Sequence, residues 1–275
     1  MPRLPFRATK VPGIEVVGIR GLADRMDVGA DGRPHRVEFH VVTIVSSGSG
    51  RREVDFRSVA LGSDTLLWVR PGQVQRFDDG DLDGVHLLVT DAFLTSLPAA
   101  DTIGVRGPVH VLDAATAASV RTVAAELARE YEQPAPSKMV LQLLLRTIAA
   151  LLERSVGGSS TGAEDDPVVE RFRAAVEDSF TQLRTVAEYA RVLGYSTRTV
   201  SRAVQAATGR SPKQVIDRRI ALEAQRLLGY TDLPVARIAE RLGFSEPTNF
   251  SRFFQRTTGV PATRFRDEHR NGPAS

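Results

Sequence analysis

The sequence predicts an α+β chain with two unlike halves: a strand-built first half backed by two helices, and an all-α second half. Three observations predict it. In residues 14–90, short apolar runs alternate with Gly, Pro and Ser clusters, the pattern of strands and tight turns. In residues 167–270, prolines fall where helices can start and apolar residues recur at helical spacing. Within that second half, one block is written twice. Residues 186–196 read VAEYARVLGYS and residues 235–245 read VARIAERLGFS. Ser201-Arg202 and Thr208-Gly209 are answered by Ser251-Arg252 and Thr258-Gly259. The offset is 49 residues at first and 50 from Ser201 and Ser251 onward. A period of that size marks a duplicated supersecondary unit.

The elements follow in order. Val37 to Val45 is mostly β-branched and apolar and reads as a strand, followed by a turn at Ser46-Ser47-Gly48-Ser49-Gly50. Arg51 to Ala60 alternates again and reads as one strand with Val54, Phe56 and Ser58 on one face. Residues 65–69 and 85–89 read as further strands, and Pro71-Gly72 as a tight turn. Several short strands with Gly-rich turns predict a barrel or sandwich. Residues 114–132 and 137–154 read as two helices. In the second, Val140, Leu141, Leu144, Leu145, Ile148, Leu151 and Leu152 cover more than half the circumference. Such a helix is buried on more than one side. Its own strands cover one side, and a second copy of the chain is the expected cover for the other.

Residues 157–166 (GGSSTGAEDD from Gly157) are small, polar and without apolar periodicity, as in a flexible linker. The expected organisation is therefore residues 1–156, a linker at 157–166, and residues 167–275. In the last segment Pro167, Pro212, Pro234 and Pro261 sit where helices can begin. Residues 212–228 form one central helix, with Ile216, Ile220, Ala224 and Leu227 on a single stripe. Its length is about 25 Å at the helical rise.

Charge separates the halves as well. Residues 1–166 hold 18 Lys+Arg against 22 Asp+Glu, and residues 167–275 hold 18 against 11, a net of +7. Basic charge gathered on a helical domain suits a polyanion. There are no cysteines, which excludes disulfides, thiolate metal sites and cysteine nucleophiles. The N-terminus has no apolar run after its positive charge, and residues 139–152 are too short and too broken to cross a bilayer. The expectation is a cytoplasmic chain with no membrane contact. No Walker loop, Gly-x-Ser-x-Gly elbow or His-Glu-x-x-His occurs, so no catalytic residue and no cofactor is assigned.

Each repeat reads as a helix, a turn, a capping serine and a second helix carrying arginine, the grammar that sets a helix in the DNA major groove. Gly194 and Gly243 can take the left-handed conformation that the turn needs. Ala190 and Ala239 are small where the two helices approach. Ser196 and Ser245 are expected to cap the second helices, at an N-terminus that also suits a DNA phosphate. The base-facing candidates are Thr197, Arg198, Ser201 and Arg202 in the first unit, and Thr248, Asn249 and Arg252 in the second. Arginine can bind guanine and asparagine adenine through two hydrogen bonds. Phe250, Phe253 and Phe254 are adjacent to that surface, and at least two are expected to be core. Arg218, Arg219 and Arg237 contact phosphate or solvent.

Residues 167–270 resemble the AraC/XylS-type bacterial transcription regulators. The resemblance is strongest in Ala236 to Ser245, Asn249-Phe250-Ser251-Arg252-Phe253-Phe254 and Thr258-Gly259-Val260-Pro261. It implies two units joined through the central helix and reading successive major-groove segments. The family's base-reading positions map onto Arg198, Ser201 and Arg202, and onto Pro247, Thr248, Asn249 and Arg252. Pro247 has no side-chain hydrogen bond to give, a departure at that position.

Residues 34–40 and 69–77, with the Gly-Ser turn between them, resemble the cupin-type sensor barrel often fused ahead of this domain. Cupin enzymes place a histidine a few residues after Pro-Gly; here that position is Gln75. His35 and His40 also lack the close His-x-His spacing, so no metal site is expected. His86 on an apolar strand reads as a hydrogen-bonded core histidine. His35, Phe39 and Trp68 are the candidates for a small-molecule effector site.

The reading is a sequence-specific regulator that binds double-stranded DNA, an activator that works with RNA polymerase and responds to a small-molecule effector. It is expected to be a homodimer through residues 137–154. Two alternatives stay open: a ligand-independent DNA-binding regulator, and a cupin enzyme fused to a DNA-binding domain.

Overall fold

The computed structural model describes residues 3–4, 6, 8–21, 34–78, 80–95, 109–157 and 166–270. The chain divides into two units, Met1–Gly158 and Ser159–Ser275. Most of the expected linker, residues 158–165, lies outside the described residues.

The first unit holds two five-stranded sheets. One runs in the order β1 (Arg3–Leu4), β3 (His35–Val37), β8 (Val74–Asp78), β5 (Gly50–Val54) and β6 (Arg57–Leu61). The other runs β10 (Val109–Val111), β7 (Thr65–Val69), β4 (His40–Ser47), β9 (Asp83–Val89) and β2 (Ile14–Gly18). The pairing is antiparallel except between β1 and β3. Among the described residues no strand pairing joins the two sheets. The barrel-or-sandwich expectation thus takes the double-sheet form.

Two strand assignments change. Val37 to Val45 is not one strand: β3 ends at Val37, β4 begins at His40, and Glu38-Phe39 carry the chain from one sheet to the other. Arg51 to Ala60 is a hairpin, β5–β6, with Val54 paired to Arg57. Its turn residues Asp55 and Phe56 have φ of 46° and 66°. That is the backbone of a two-residue hairpin turn, for which glycine or asparagine is the usual signal. Asp55 meets the cost of the conformation locally. Its carboxylate accepts from Val74 N at 3.1 Å and from Gln73 Nε2 at 2.8 Å.

Alternation along β4, β7 and β9 buries both faces of their sheet. Val41, Val45, Leu67, Val69 and Leu88 pack in the core between the sheets, together with Val54 and Leu61 of the opposite sheet. Val42, Ile44, Leu66, Trp68 and Leu87 face α2 (Ala114–Glu132) and α3 (Lys138–Gly157). A short helix, α1 (Asp91–Thr95), follows β9, and Phe93 joins this second core. Each aliphatic side chain fully buried here contributes about 1.5–3 kcal/mol.

Asp113 caps α2 by accepting from Thr116 N at 2.9 Å. These bonds to Thr116 lower the pKa of its carboxyl. In α3, Leu141, Leu145, Ile148 and Leu152 are buried, and Leu144 and Leu151 pack partly against the same core. What its own unit leaves uncovered is Met139, Val140 and Leu143, at 62%, 38% and 53% exposure.

The second unit is all helix: α4 (Pro167–Ser179), α5 (Val186–Leu193), α6 (Thr197–Thr208), α7 (Pro212–Tyr230), α8 (Val235–Arg241), α9 (Pro247–Thr258) and α10 (Ala262–Arg270). Proline opens α4, α7 and α9 at the first helical position, where its missing N–H costs nothing. Pro234 is instead the N-cap of α8, and Pro261 directly precedes α10. The central helix runs to Tyr230, two residues past the expected 228. Its stripe is buried as expected: Ile216, Ile220, Ala224 and Leu227. Phe172, Val176, Tyr189, Val200 and Val204 close over Ile216 and Ile220 to form the core of the first repeat.

Candidate nucleic-acid interface

The first repeat is α5, a turn and α6. Thr185 and Glu188 form a reciprocal capping box at the start of α5, and the hydrogen bonds that the Glu188 carboxyl accepts from the Arg184 backbone N–H and from Thr185 hold it below its usual pKa. Gly194, at φ 72°, ends the helix in the left-handed conformation. Ser196 then caps α6, its Oγ accepting from Thr199 N at 3.0 Å. Val200, Ala203, Val204 and Ala207 are the buried face of α6. Thr197, Arg198 and Arg202 are exposed on the other side, and Ser201 is half-buried at its edge. The packing of one face therefore decides which side chains the helix offers outward.

The second repeat is α8, a turn and α9. Phe250, Phe253 and Phe254 are all buried, at 0%, 7% and 0% exposure, so the three aromatics are core. Pro247, Thr248, Asn249 and Arg252 are exposed. The exposed candidates are thus three on α6, with Ser201 at the edge, and four on α9; of these, Arg202 and Arg252 stand at equivalent positions of the repeat. One expectation fails. Ser245 does not cap α9; the N-cap residue is Glu246, and no side chain makes the cap hydrogen bond. Pro247 at the first turn removes one free amide, which leaves less for a capping side chain to satisfy.

The arginines divide by what holds them. Arg219 is bonded to Glu177 at 2.6 Å and lies 3.9 Å from the Phe180 ring centroid, a structural tie between α7 and α4. Arg237 pairs with Glu240. Among the described residues, no carboxylate pairs with Arg198, Arg202 or Arg252. Exposed cations that no described carboxylate pairs are the groups a polyphosphate backbone or a base edge can take up.

Residues 189–268 match the family described as "Helix-turn-helix domain", a span that runs from within the first repeat through the central helix and the second repeat. The chain is 27% identical over 233 residues to the HTH-type transcriptional activator RhaS of Enterobacter sp. (strain 638), covering 81% of this chain and 83% of that protein. It is 25% identical over 232 residues to RhaS of Klebsiella pneumoniae (strain 342), with the same coverage. The chain is an AraC/XylS-type transcription regulator.

Solved structures similar to this AraC/XylS-type regulator include the DNA-binding domain of AdpA in complex with a target DNA. It is 32% identical, covering 40% of this chain and 99% of that one, with a TM-score of 0.36. Another is fatty-acid-bound ToxT from Vibrio cholerae, 11% identical, covering 98% and 100%, with a TM-score of 0.46. The regulator is a DNA-binding protein, and the matched segment lies in the half with the net charge of +7. Among the described residues, no helix of the regulator is long and apolar enough to cross a membrane.

In the regulator's first unit the three effector candidates do not come together. Phe39 is buried in the core between the sheets, where its ring meets Phe6 at 5.4 Å. Trp68 is buried in the other core, against the helices. It sits between Leu67 and Val69, which face the opposite sheet, so strand alternation turns it away from Phe39. Its Nε1–H donates to His40 Nδ1 at 3.0 Å, and His40 Nε2 lies 2.8 Å from Asp91 Oδ1. Those bonds account for His40.

His35 remains between the sheets, with neighbours that the sequence reading did not select. His35 pairs with Gln75, Gln75 with Val54, and Thr43 with His86. Arg52, two residues before Val54, donates from Nη1 to Thr43 Oγ1 of the opposite sheet at 3.1 Å. Thr43 Oγ1 lies 2.9 Å from His86 Nδ1. His35 is 5% exposed, and Thr43, Arg52, Gln75 and His86 are 0% exposed. Burial and the nearby Arg52 charge push His86 well below the ordinary histidine pKa, so it is neutral. His86 is the bonded core histidine expected from its strand. Among the described residues, its Nε2 and both amide atoms of Gln75 have no hydrogen-bond partner. No group of three or more His, Cys, Asp or Glu that could hold a metal occurs among the described residues.

Proposed function

We propose that this regulator reads double-stranded DNA through two helices, α6 and α9. Thr197, Arg198, Ser201 and Arg202 face one stretch of base edges, and Pro247, Thr248, Asn249 and Arg252 face another. Ser196 and Ser245 lie at the phosphates flanking them. The observation that carries this reading is the pair of outward faces: each recognition helix buries one side and, among the described residues, carries on the other an arginine that no carboxylate pairs. Pro247 supplies shape and a fixed backbone rather than a hydrogen bond. We infer activation, with contact to RNA polymerase, from the relatives' description as transcriptional activators. In this reading residues 1–156 sense the effector and dimerise, and 167–275 bind DNA from within the cytoplasm.

The effector reading rests on the polar groups between the sheets. An unpaired buried polar group costs about 1–3 kcal/mol, and among the described residues three such atoms lie in the buried interior between the sheets. The chemistry suits a small polar molecule presenting a donor and an acceptor side by side to the Gln75 amide, with a further polar group toward His86. His35 and Phe39 border that interior, and Trp68 supports it from behind. For the dimer, the uncovered apolar residues of α3 (Met139, Val140 and Leu143) are the surface that a second copy would bury.

Sequence selection on the full chain tests the DNA reading. It should enrich two base-pair clusters about 10 base pairs apart, with affinity that falls steeply with salt. No enrichment at low salt would overturn it. A thermal-shift screen of small polar metabolites tests the effector: a ligand that binds only the folded state raises stability, and Gln75→Leu should remove that gain.

A further inference from the structure

We infer that Arg184 is a specificity-determining residue of this regulator, one that sets the spacing between the two half-sites it accepts while touching neither. The inference rests on the reading that α6 and α9 contact DNA, and it concerns what holds those helices in mutual register.

The central helix α7 is one such link, as the resemblance implies. It has 19 residues, about 28 Å, and both repeats pack on it. The structure adds a second, direct contact between the repeats. Arg184 lies in the loop between α4 and α5, ahead of the first repeat. It reaches across to the turn of the second. Its Nη2 donates to the carbonyl of Leu242, and its guanidinium lies 4.1 Å from the centroid of the Phe244 ring. Leu242 and Phe244 flank Gly243, the turn glycine that aims α9. The other end of Arg184 is held too, because its backbone N–H donates to Glu188 in the α5 capping box at 2.9 Å. One residue therefore joins the cap of the first reading unit to the turn of the second.

The same contact is tight on its other side. A Cβ added at Gly243 would lie 2.3 Å from the carbonyl oxygen of Thr181, in the Arg184 loop, and 3.2 Å from Arg184 Nη2. The loop and the turn touch backbone to backbone, with no room for a methyl group. Phe244 in turn packs against the core of the first repeat, which also holds Phe253. Arg256 of α9 lies 3.8 Å from Asp217 on α7, a further tie on the helix side.

A single helix leaves its two ends free to bend and twist, and small rotations at a pivot become large displacements at a reading head. A guanidinium that both stacks and donates restricts position and angle together. That makes half-site spacing the property that should depend on Arg184. The base preference inside each half-site should not, because the base-facing side chains belong to α6 and α9.

Gly194 and Gly243 supply the control. Both are left-handed turn glycines, at φ +72° and +76°, so alanine strains the backbone alike in each. Only Gly243 has the contact; a Cβ at Gly194 meets nothing within 4 Å.

The test measures binding of the full chain to its selected site and to versions with one base pair added or removed between the half-sites. Wild type should lose at least about tenfold at either altered spacing, a loss comparable to a mismatched base pair. Arg184→Ala and Gly243→Ala should flatten that profile to within about threefold while keeping each half-site's sequence preference. Arg184→Lys, which keeps the charge but not the planar fork, should not restore it. Gly194→Ala should bind more weakly at every spacing, with the wild-type profile. An Arg184→Ala variant that lost affinity equally at all spacings would overturn the inference, as would one with an unchanged profile. A wild type that selected no sequence would overturn the DNA reading on which it rests.

Discussion

Arg52 and Thr43 meet across the gap between two sheets: Arg52 Nη1 donates to Thr43 Oγ1 at 3.1 Å, with both residues 0% exposed. Thr43 passes the contact on to His86, so a cation and a neutral imidazole share one buried interior. An ordinary hydrophobic core would not need them. The polar chain makes the first unit's stability depend on pH.

The sign follows from His86. Its folded pKa lies well below the ordinary 6.5, so the unfolded chain takes up the proton first as pH falls. Stability from this group is fully present above about pH 6.5 and is lost progressively below it. Thermal unfolding of the first unit should therefore drop in melting temperature between neutral and mildly acidic pH. His86→Gln, which does not titrate, should remove part of that slope. An identical slope in the variant would show that other groups set it.

Arg202 and Arg252 occupy equivalent places on α6 and α9, one after Ser201 and the other after Ser251. Each change to alanine should cost about 1–3 kcal/mol on the selected site. Arg202→Ala should relax preference at one cluster of base pairs and Arg252→Ala at another. Selection on both variants reads this directly. Equal losses on every sequence would mean that the two side chains touch only phosphate.

The two recognition helices are capped differently, and stability should report it. Ser196→Ala removes a cap bond and should cost about 1 kcal/mol in the helical unit. Ser245→Ala removes none, because Glu246 is the N-cap, and should stay within about 0.5 kcal/mol. Denaturant melts of the two variants compare them. Equal costs would show that Ser245 caps after all.

The exposed face of α3 makes the dimer testable at named positions. Leu143→Glu should convert a sedimenting dimer to monomer without lowering the melting temperature of the first unit, because Leu143 is 53% exposed. Leu144→Glu should lower that temperature, because Leu144 packs on its own core. A monomeric wild type at high concentration would remove the dimer reading.

What the sequence determined by itself is local. The helices of the second unit, their proline starts, the left-handed Gly194 and the Ser196 cap all depend on residues within a turn or two of each other. Helix hydrogen bonds and caps close over three or four residues, so their signals lie side by side in the chain. The duplicated block needed only comparison of the chain with itself. Of Phe250, Phe253 and Phe254 the sequence placed at least two in the core; the structure buries all three.

What the tertiary structure decided is which way things face and what meets across distance. Val37 to Val45 reads as one strand, but its two ends belong to different sheets. Asp55-Phe56 turns a hairpin without the usual glycine, because Gln73 and Val74, far along the chain, bond the Asp55 carboxylate. Trp68 and Phe39 fall into separate cores because side chains alternate along a strand, and a shift of one residue reverses the face. Gln75 is legible in the sequence only as a missing metal ligand; its burial between His35 and Val54, with an amide that no described residue pairs, comes from the strand register. Arg184 carried no signal at all. Its partners Leu242 and Phe244 lie about sixty residues away, and a contact at that separation exists only once both repeats have packed on the central helix.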